Sequence, residues 1–598
     1  MARVGGVPHA TPPTTPVPTV PAPRTATLAP GEHRLVHGAR VQAHPLLAPA
    51  ARWWRRTTEE SSGIDLVAHD PTHAADAGSP DTAATVRFDV DDGLARGAYT
   101  LDVDPAVVRV AAADLPGAFA AAQTLRQLAG AAAFRRAGGA PLVLPALRVA
   151  DAPQHHWRGV MLDVARHFLP KADLLRFVDL AAAHHLNVLQ LHLTDDQGWR
   201  VEIQRYPRLT QVGGWRRETT VGRSGAPDGR PHGGYYSADD LREVVAYARE
   251  RGMMVVPEID VPGHVQAALA AYPELAARPG AHEVWTSWGI SEDVLDPSET
   301  TLAFFRDVLD EVCQVFDAPF VALGGDEVPT TTWQGRPDIV ERAAALGLTT
   351  DGAPDVARLH GWFLARLADH LRTRGRRALV WDEAFGPDLP QDAVVLAWRG
   401  HTVALDALAA GHDVVLAPEQ EVYLDHRAAD GPDEPVPVGF VRTTADVYAF
   451  EVMPRAARAA RPDLPAVLPG RLLGAQAQVW TEHLDSARRV DYAAFPRLAA
   501  FAEAVWTTDP TPRGLGGTAS AAFLERLHDA HLPRLAAAGV EFRPPGGPHP
   551  WQQRPGVEGR PRDLAAERAV AGWDGLGGWV AGRDGAEPEQ AATPGGAA

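Results

Sequence analysis

From Trp157 onward the chain repeats one pattern, a short apolar run followed by a polar break and then an amphipathic stretch, and this repetition limits the fold more than any other feature. Eight such runs can be read, at 157–163, 187–193, 253–258, 320–324, 378–381, 394–398, 413–417 and 473–480. They are nearly continuous in apolar character rather than alternating, as expected of strands buried on both faces of a parallel sheet. Helical periodicity fills most of the gaps, at 171–185, 237–251, 300–316, 355–374, 402–410 and 491–505. The start Ser237-Ala238-Asp239-Asp240 predicts a capped N-terminus. Only a short Pro-containing connection, 385–392, separates the fifth and sixth runs, so one helix is expected to be missing there. Eight βα units imply an α/β chain with a closed (β/α)8 TIM barrel, elaborated by a long loop over 425–470.

At 598 residues the chain exceeds one ordinary core, and its composition divides it. Residues 1–30 are Pro/Thr-rich without periodicity and are expected to stay extended or disordered. Residues 31–150 read as a small α+β accessory domain, with strands at 98–103 and 107–110 and an Ala-rich helix at 116–129 that Gly130 ends. The barrel domain spans 151–543, including a helix at 520–538 expected to pack on it, and 544–598 is a Gly/Pro-rich tail expected to be partly disordered.

A formal net charge of −18 disfavours nucleic acid, anionic membranes and polyanionic substrates as partners. Cys313 is the only cysteine, which excludes an intramolecular disulfide and a multi-cysteine zinc site, and it falls on the apolar face of a helix. There is no apolar run long enough to cross a bilayer, and Pro and Thr stand where a signal peptide needs continuous apolar residues. A cytoplasmic location is therefore expected, with secretion by another route left open. Oligomeric state has no signature.

A barrel of this kind carries its active site at the C-terminal ends of its strands, so the residue types there are the informative ones. In order they are Asp163 and Arg166; His192, Asp195 and Asp196; Glu258, Asp260 and His264; Asp326 and Glu327; Trp381, Asp382 and Glu383; Trp398; Tyr423 and Asp425; Trp480 and Glu482. In Gly324-Gly325-Asp326-Glu327 the paired glycines permit the bend that lets both acids face one pocket. Indoles stack on a pyranose ring while carboxylates and an arginine bind its hydroxyls, so together these residues describe a sugar site. Singly, each has a plainer reading: a tryptophan as core, Arg166 as a surface charge, adjacent acids as a turn or helix cap. His192-x-x-Asp195 admits a metal alternative, but no His-x-His or His-Glu-x-x-His motif accompanies it, so neither metal nor cofactor is expected.

Seven segments carry a closer likeness. Arg158-Gly159-Val160-Met161-Leu162-Asp163-Val164-Ala165-Arg166-His167-Phe168, His192-Leu193-Thr194-Asp195-Asp196-Gln197-Gly198-Trp199-Arg200, Pro257-Glu258-Ile259-Asp260-Val261-Pro262-Gly263-His264, Gly324-Gly325-Asp326-Glu327, Trp381-Asp382-Glu383, Tyr423-Leu424-Asp425 and Trp480-Thr481-Glu482 occur in that order. On these residues the chain resembles the β-N-acetylhexosaminidases of glycoside hydrolase family 20, over about 97–506 and the following helix. The preceding domain is similar to the family's accessory, zincin-like and non-catalytic domain, notably at Gly117-Ala118 and Gln123-Thr124-Leu125-Arg126-Gln127-Leu128.

The resemblance implies a retaining exo-enzyme acting on terminal GlcNAc or GalNAc, in which the substrate's 2-acetamido group is the nucleophile and an oxazolinium ion the intermediate. It implies Glu327 as acid and then base, with Asp326 orienting the acetamido N–H and Tyr423 donating to its oxygen. Asp195 and His264 are implied as a supporting dyad, and Trp362, Trp381 and Trp480 as an indole box. Arg166 is implied to bind the C3 and C4 hydroxyls, with Asp425 and Glu482 on the C4 and C6 side. A disaccharide-releasing specificity, a glycosidase with an enzyme nucleophile and a silent sugar-binding protein are the alternatives.

Overall fold

The structure is a computed structural model that describes residues 17–69, 85–223, 225–436, 438–507 and 515–566. The chain forms two units.

The first comprises Met1–Gln154, Trp506–Pro512 and Ala522–Gly539. Its seven-stranded sheet contains β1 (Thr25–Arg34), β2 (Ala39–Ala43), β3 (Leu66–His69), β4 (Val86–Val90), β5 (Tyr99–Val103), β6 (Val108–Ala112) and β7 (Val143–Asp151), in the order β1-β7-β5-β6-β4-β2-β3. The predicted strands are β5 and β6. Helix Leu115–Leu128 starts where Asp114 accepts from the Gly117 N–H at 2.9 Å, and Gly130 follows it at φ +79°. Residues 17–30, expected to be disordered, are instead built into this unit. The Val20 N–H donates to Gln127 Oε1 at 2.8 Å, Gln127 Nε2 donates back to Val20 O at 2.7 Å, and the β1–β7 ladder begins at Thr25. The segment Ala522–Gly539, which the sequence reading joins to the barrel, also groups here, with Arg534 Nε donating to Gln127 O at 3.1 Å. Residues 1–16 lie outside the described residues.

The second unit is the barrel. Strands β8 (Trp157–Asp163), β9 (Val188–His192), β10 (Met254–Glu258), β11 (Phe320–Ala322), β12 (Arg377–Trp381), β13 (Val394–Ala397), β14 (Asp413–Leu416) and β15 (Leu472–Val479) close in chain order. Each lies within two residues of the predicted run. Register aligns the strand ends: Asp163 pairs with His192, His192 with Glu258 and Glu258 with Ala322, so three ionisable side chains share one rung.

Below that rung the interior is packed with Met161, Val188, Val256, Leu379, Leu396 and Val415. A buried polar chain runs through it. Trp157 Nε1 donates to Gln476 Oε1 at 3.2 Å, Gln476 Nε2 to Gln190 Oε1 at 2.9 Å, and Gln190 Nε2 to Glu258 Oε2 at 2.8 Å. Each of these groups left unpaired at this depth would cost about 1–3 kcal/mol, so the chain is built complete.

Helices Lys171–Ala183, Ala238–Arg249, Glu299–Val315, Arg358–Thr373 and His401–Ala409 lie between the strands. Ser237 and Asp240 form a reciprocal capping box, as predicted. Between β12 and β13 there is only the single turn Asp382–Ala384, where a helix was expected to be missing. The predicted helix 491–505 is broken at Pro496 into Ala487–Ala494 and Arg497–Trp506, because proline has no N–H to continue the ladder. The tail from 544 is anchored locally, with Gln552 buried and Arg560–Pro561 paired with Val438–Gly439, while most of 544–566 is exposed. Residues 567–598 lie outside the described residues. Among the described residues no helix is long and apolar enough to cross a membrane.

Candidate active site

β11 ends at Ala322, and the next five residues turn sharply into the barrel mouth. Gly324 and Gly325 adopt φ +67° and +91°, and Glu327 itself sits at φ +48°, a conformation costly for a side-chain-bearing residue. A Cβ at Gly324 would lie 1.7 Å from Asp260 Oδ1, so only glycine admits this approach. Asp260 Oδ1 accepts the Gly325 N–H at 3.1 Å, and Glu383 Oε2 accepts the Glu327 N–H at 2.9 Å. The bend is thus held from both sides by carboxylates.

Behind the bend stands His264, at φ +53°. Its Nδ1 lies 3.3 Å from Asp195 Oδ1 and 3.5 Å from Asp196 Oδ2, and its Nε2 lies 3.5 Å from Glu327 Oε2 and 3.7 Å from Asp326 Oδ2. The structure therefore brings Asp195, His264, Asp326 and Glu327 into one connected group. Burial alone would lower the His264 pKa, but the charge of Asp195, with Asp196 and Glu327, outweighs it and holds the imidazole well above its usual 6.5. Burial, opposed by His264 and reinforced by Glu327, raises Asp326 to about 6. Burial and the Asp326 charge raise Glu383 to about 8. Asp326 and Glu383 are thus carboxyls whose charged forms burial disfavours.

The opposite wall differs in its balance. Asp163 accepts the Ala165 and Arg166 N–H groups at 2.8 and 3.0 Å and the Thr481 N–H at 3.1 Å, fastening the β8 and β15 loops together. Arg166 Nη2 lies 2.7 Å from Asp195 Oδ2, its Nε donates to Gln197 Oε1 at 3.3 Å, and the guanidinium stands 4.8 Å over the Trp480 ring. Arg166 Nη1 is buried without a hydrogen-bond partner within the protein, a donor available to a sugar hydroxyl. His192 bridges Glu258 and Asp195 at 2.8 Å each; burial would discharge it, but the two carboxylates raise its pKa well above 6.5.

Trp381 and Trp480 face each other with centroids 6.0 Å apart at 36°, and Tyr423 lies 6.2 Å from Trp480. Trp381 is fixed by its Nε1, which donates to Glu258 Oε1 at 2.9 Å. These three rings share one cluster. Trp362 does not join it: on the first turns of helix Arg358–Thr373 it packs with Val328 against the Trp333/Ile339/Leu359 cluster. Asp425 and Glu482 are neighbours, and burial raises both carboxyls, with Glu482 adding to Asp425 and Arg166 opposing the rise at Glu482.

Several participants escaped the sequence reading. Arg200 donates to Ala165 O at 2.6 Å and Gly214 O at 2.7 Å, and Arg216 donates to Arg166 O at 2.7 Å, so two buried guanidiniums hold the loop that carries Arg166. Burial lowers them to about 10 and about 9. Glu258, His192 and Glu383 were visible as strand-end residues but had no assigned role. Trp398 packs on the indole cluster with a buried, unpartnered Nε1. Potential cation ligands cluster as His192/Asp195/Asp260, Asp195/Asp196/His264 and Asp260/His264/Asp326. In the first of these, both His192 nitrogens are already spent on carboxylates.

Comparison with known proteins gives concordant matches. Residues 155–509 match the profile "Glycosyl hydrolase family 20, catalytic domain", and residues 17–152 match "Glycosyl hydrolase family 20, domain 2". A beta-hexosaminidase of Porphyromonas gingivalis is 36% identical over 450 residues, covering 75% of this chain and 54% of that protein, so the chain spans about half of this relative's length. A beta-hexosaminidase of Vibrio furnissii is 33% identical over 490 residues, covering 81% of this chain and 75% of that protein. Among solved structures, an exo beta-N-acetylglucosaminidase of Vibrio harveyi in complex with N-acetylglucosamine aligns with a TM-score of 0.73 at 30% identity, covering 90% of this chain and 81% of that one.

Proposed function

The chain belongs to glycosyl hydrolase family 20, and from that premise we propose that it is a retaining exo-β-N-acetylhexosaminidase that releases terminal, non-reducing N-acetylhexosamine by substrate-assisted catalysis. One observation carries the mechanism: Asp326 and Glu327 are consecutive, lie on one bend and both approach Nε2 of His264, at 3.7 and 3.5 Å. In a two-carboxylate retaining site the nucleophile and the acid stand about 5–5.5 Å apart on opposite sides of the scissile bond. A pair on one bend suits a different division of labour, in which the attacking atom belongs to the substrate.

In that reading Glu327 gives its proton to the glycosidic oxygen as the C1–O bond breaks, and the acetamido oxygen closes onto C1. Asp326 accepts the acetamido N–H and stabilises the charge that develops. Trp381, Trp480 and Tyr423 hold the acetamido group in attack geometry and exclude water. Glu327 then takes a proton from water as that water opens the ring intermediate, restoring the original anomer. His264 and Asp195 anchor the acid, and Arg166 grips the ring hydroxyls. GlcNAc is the first substrate to consider, since the Vibrio harveyi relative was solved with N-acetylglucosamine.

The test compares nitrophenyl β-glycosides of GlcNAc, GalNAc and glucose. Release from the two acetamido sugars, inhibited by a thiazoline mimic of the cyclised intermediate, with none from the glucoside, is the expected result. Equal rates on GlcNAc and glucose would overturn substrate assistance.

A further inference from the structure

Well beyond residue 509, where the match to the catalytic profile ends, the chain returns to the barrel mouth and crosses three of its loops. Arg554 Nη2 lies 3.0 Å from Asp485 Oδ2 in the loop after β15. Glu558 O accepts the Arg223 N–H at 2.9 Å from the loop after β9, and Arg560–Pro561 pairs with Val438–Gly439 in the loop after β14. Between these anchors most of the segment is exposed, which is the pattern of a strap and not of a core element. Its last anchor turns inward. The Arg562 N–H donates to Gly439 O at 2.8 Å, its guanidinium stands 4.3 Å over the Phe440 ring, and its Nη1 donates to Glu419 Oε1.

Glu419 is a buried carboxyl that the mechanism above does not use. It opens the single helical turn Glu419–Val422, and Tyr423 follows that turn, four residues on and so beside it. The other group against Glu419 is His426, whose Nε2 lies 3.7 Å from Oε1 and whose ring centroid stands 5.9 Å from that of Tyr423. Burial lowers His426 below its ordinary 6.5, so the imidazole supplies no charge at neutral pH. The positive charge matching Glu419 therefore comes from Arg562. Burial would raise the Glu419 carboxyl, but His426 and Arg562 outweigh it and hold the group ionised. Without its cation a carboxylate at this depth would take up the nearest O–H, since a buried charge is costly until it is paired. Its field already reaches Tyr423: burial and then the Glu419 charge raise the phenol well above its usual value.

We propose that Arg562 is a positioning residue for Tyr423: by occupying Glu419 it leaves the Tyr423 hydroxyl free to donate to the acetamido oxygen of the substrate, which makes the C-terminal strap a working part of the active site. The proposal rests on the role of Tyr423 given above. It acts on the attacking group and not on the acid, because Arg562 and Glu419 belong to the β14 side of the mouth and Glu327 to β11.

The full chain is compared with Arg562→Ala, with the double variant Glu419→Gln/Arg562→Ala and with Arg560→Ala, whose exposed side chain leaves the backbone pairing of the strap in place. Each is assayed on nitrophenyl and alkyl β-glycosides of GlcNAc and for inhibition by the thiazoline mimic. Arg562→Ala should lower kcat by about tenfold or more and weaken the thiazoline by a similar factor, with equal losses on nitrophenyl and alkyl substrates. Removing the carboxylate as well should restore both quantities to within about threefold of the parent, the coupling expected of a pair that acts through one charge. Arg560→Ala should stay within about twofold. An Arg562→Ala protein as active as the parent would overturn the proposal, as would a double variant no better than the single one, which would leave the strap a structural element. Should Arg562→Ala not fold, Arg562→Gln, which removes the charge and keeps a donor, carries the same test with the same two outcomes. A parent inactive on both GlcNAc glycosides would instead defeat the enzymatic reading. Calorimetric titration of N-acetylglucosamine into the same proteins would then decide the coupling, with binding weakened by Arg562→Ala and restored in the double variant supporting it, and unchanged or absent binding overturning it.

Discussion

The two walls of the barrel mouth are built from the same residue types to opposite ends. Around β8, β9 and β15, charges are paired: Asp195 meets Arg166 and His192, Asp163 accepts three backbone N–H groups, and Glu258 accepts from Gln190, His192 and Trp381. From β10 to β12 pairing is thinner: His264 has only ion-pair contacts of 3.3–3.7 Å, although Asp382 is paired with Arg399 at 2.6 Å. Asp326 Oδ1, Asp260 Oδ2, Glu383 Oε1 and both His264 nitrogens are buried without hydrogen-bond partners, and three of the four residues Gly324–Glu327 have positive φ. In the proposed mechanism the better-paired wall, where Arg166 Nη1 still lacks a hydrogen-bond partner, recognises a ground-state sugar and need not change during the reaction. In that mechanism the unsaturated wall keeps its hydrogen-bonding capacity for charge and protons that appear only in the transition state, where such groups accelerate reaction.

Substitutions on the unsaturated wall should therefore damage chemistry more than stability. The largest effect is expected of Glu327→Gln: a loss of about 10³-fold in kcat on substrates with poor leaving groups and much less on activated aryl glycosides. Similar losses on both classes would remove Glu327 from the proton-transfer role. Asp326→Asn should lower kcat by about 10²-fold while leaving the melting temperature unchanged or raised, because a neutral amide replaces a carboxyl whose charged form burial disfavours. A clear fall in melting temperature would contradict the contrast between the walls.

Arg166→Lys probes the other wall and should show the reverse balance. An ammonium cannot keep the contacts to Asp195 and Gln197 together, so a rise in KM of about tenfold is expected with a stability loss of about 1–3 kcal/mol, read from substrate titration and denaturant melts.

The smallest activity effect, a few-fold at most, belongs to Glu383→Gln, which keeps an acceptor for the Glu327 N–H. Its signature is in pH dependence. Glu383 ionises near the ordinary glutamate value of 4.5 when unfolded and at about 8 when folded, so the folded state binds the extra proton between these values. This contribution to stability is fully present below 4.5 and is lost as pH rises toward 8. The variant should flatten that part of a melting-temperature profile, and an unchanged slope would show that another group carries it.

Much of this was legible beforehand, for identifiable reasons. The barrel strands are continuous apolar runs because both faces of each are buried, so their signal does not depend on partners. The acid bend was legible because only glycine tolerates its backbone. The packing of Trp362 against the Trp333/Ile339/Leu359 cluster was not, since an indole on a helix packs into whichever cluster its helix faces. Neither was the placement of residues 17–30, which Gln127, about a hundred residues away, ties down through two hydrogen bonds to Val20. Arg200 and Arg216 had no assigned role until their targets, backbone carbonyls with no sequence signature, were brought beside them.

The order of strands, the position of the bend and the chemical types available at the barrel mouth were determined by the sequence alone, because they rest on local periodicity and backbone sterics. Closure of the ring decided the rest. It set which carboxylate faces which cation, which carboxyls are pushed toward neutrality and which flank lies opposite the acid, since these depend on distances and burial between residues far apart in the chain.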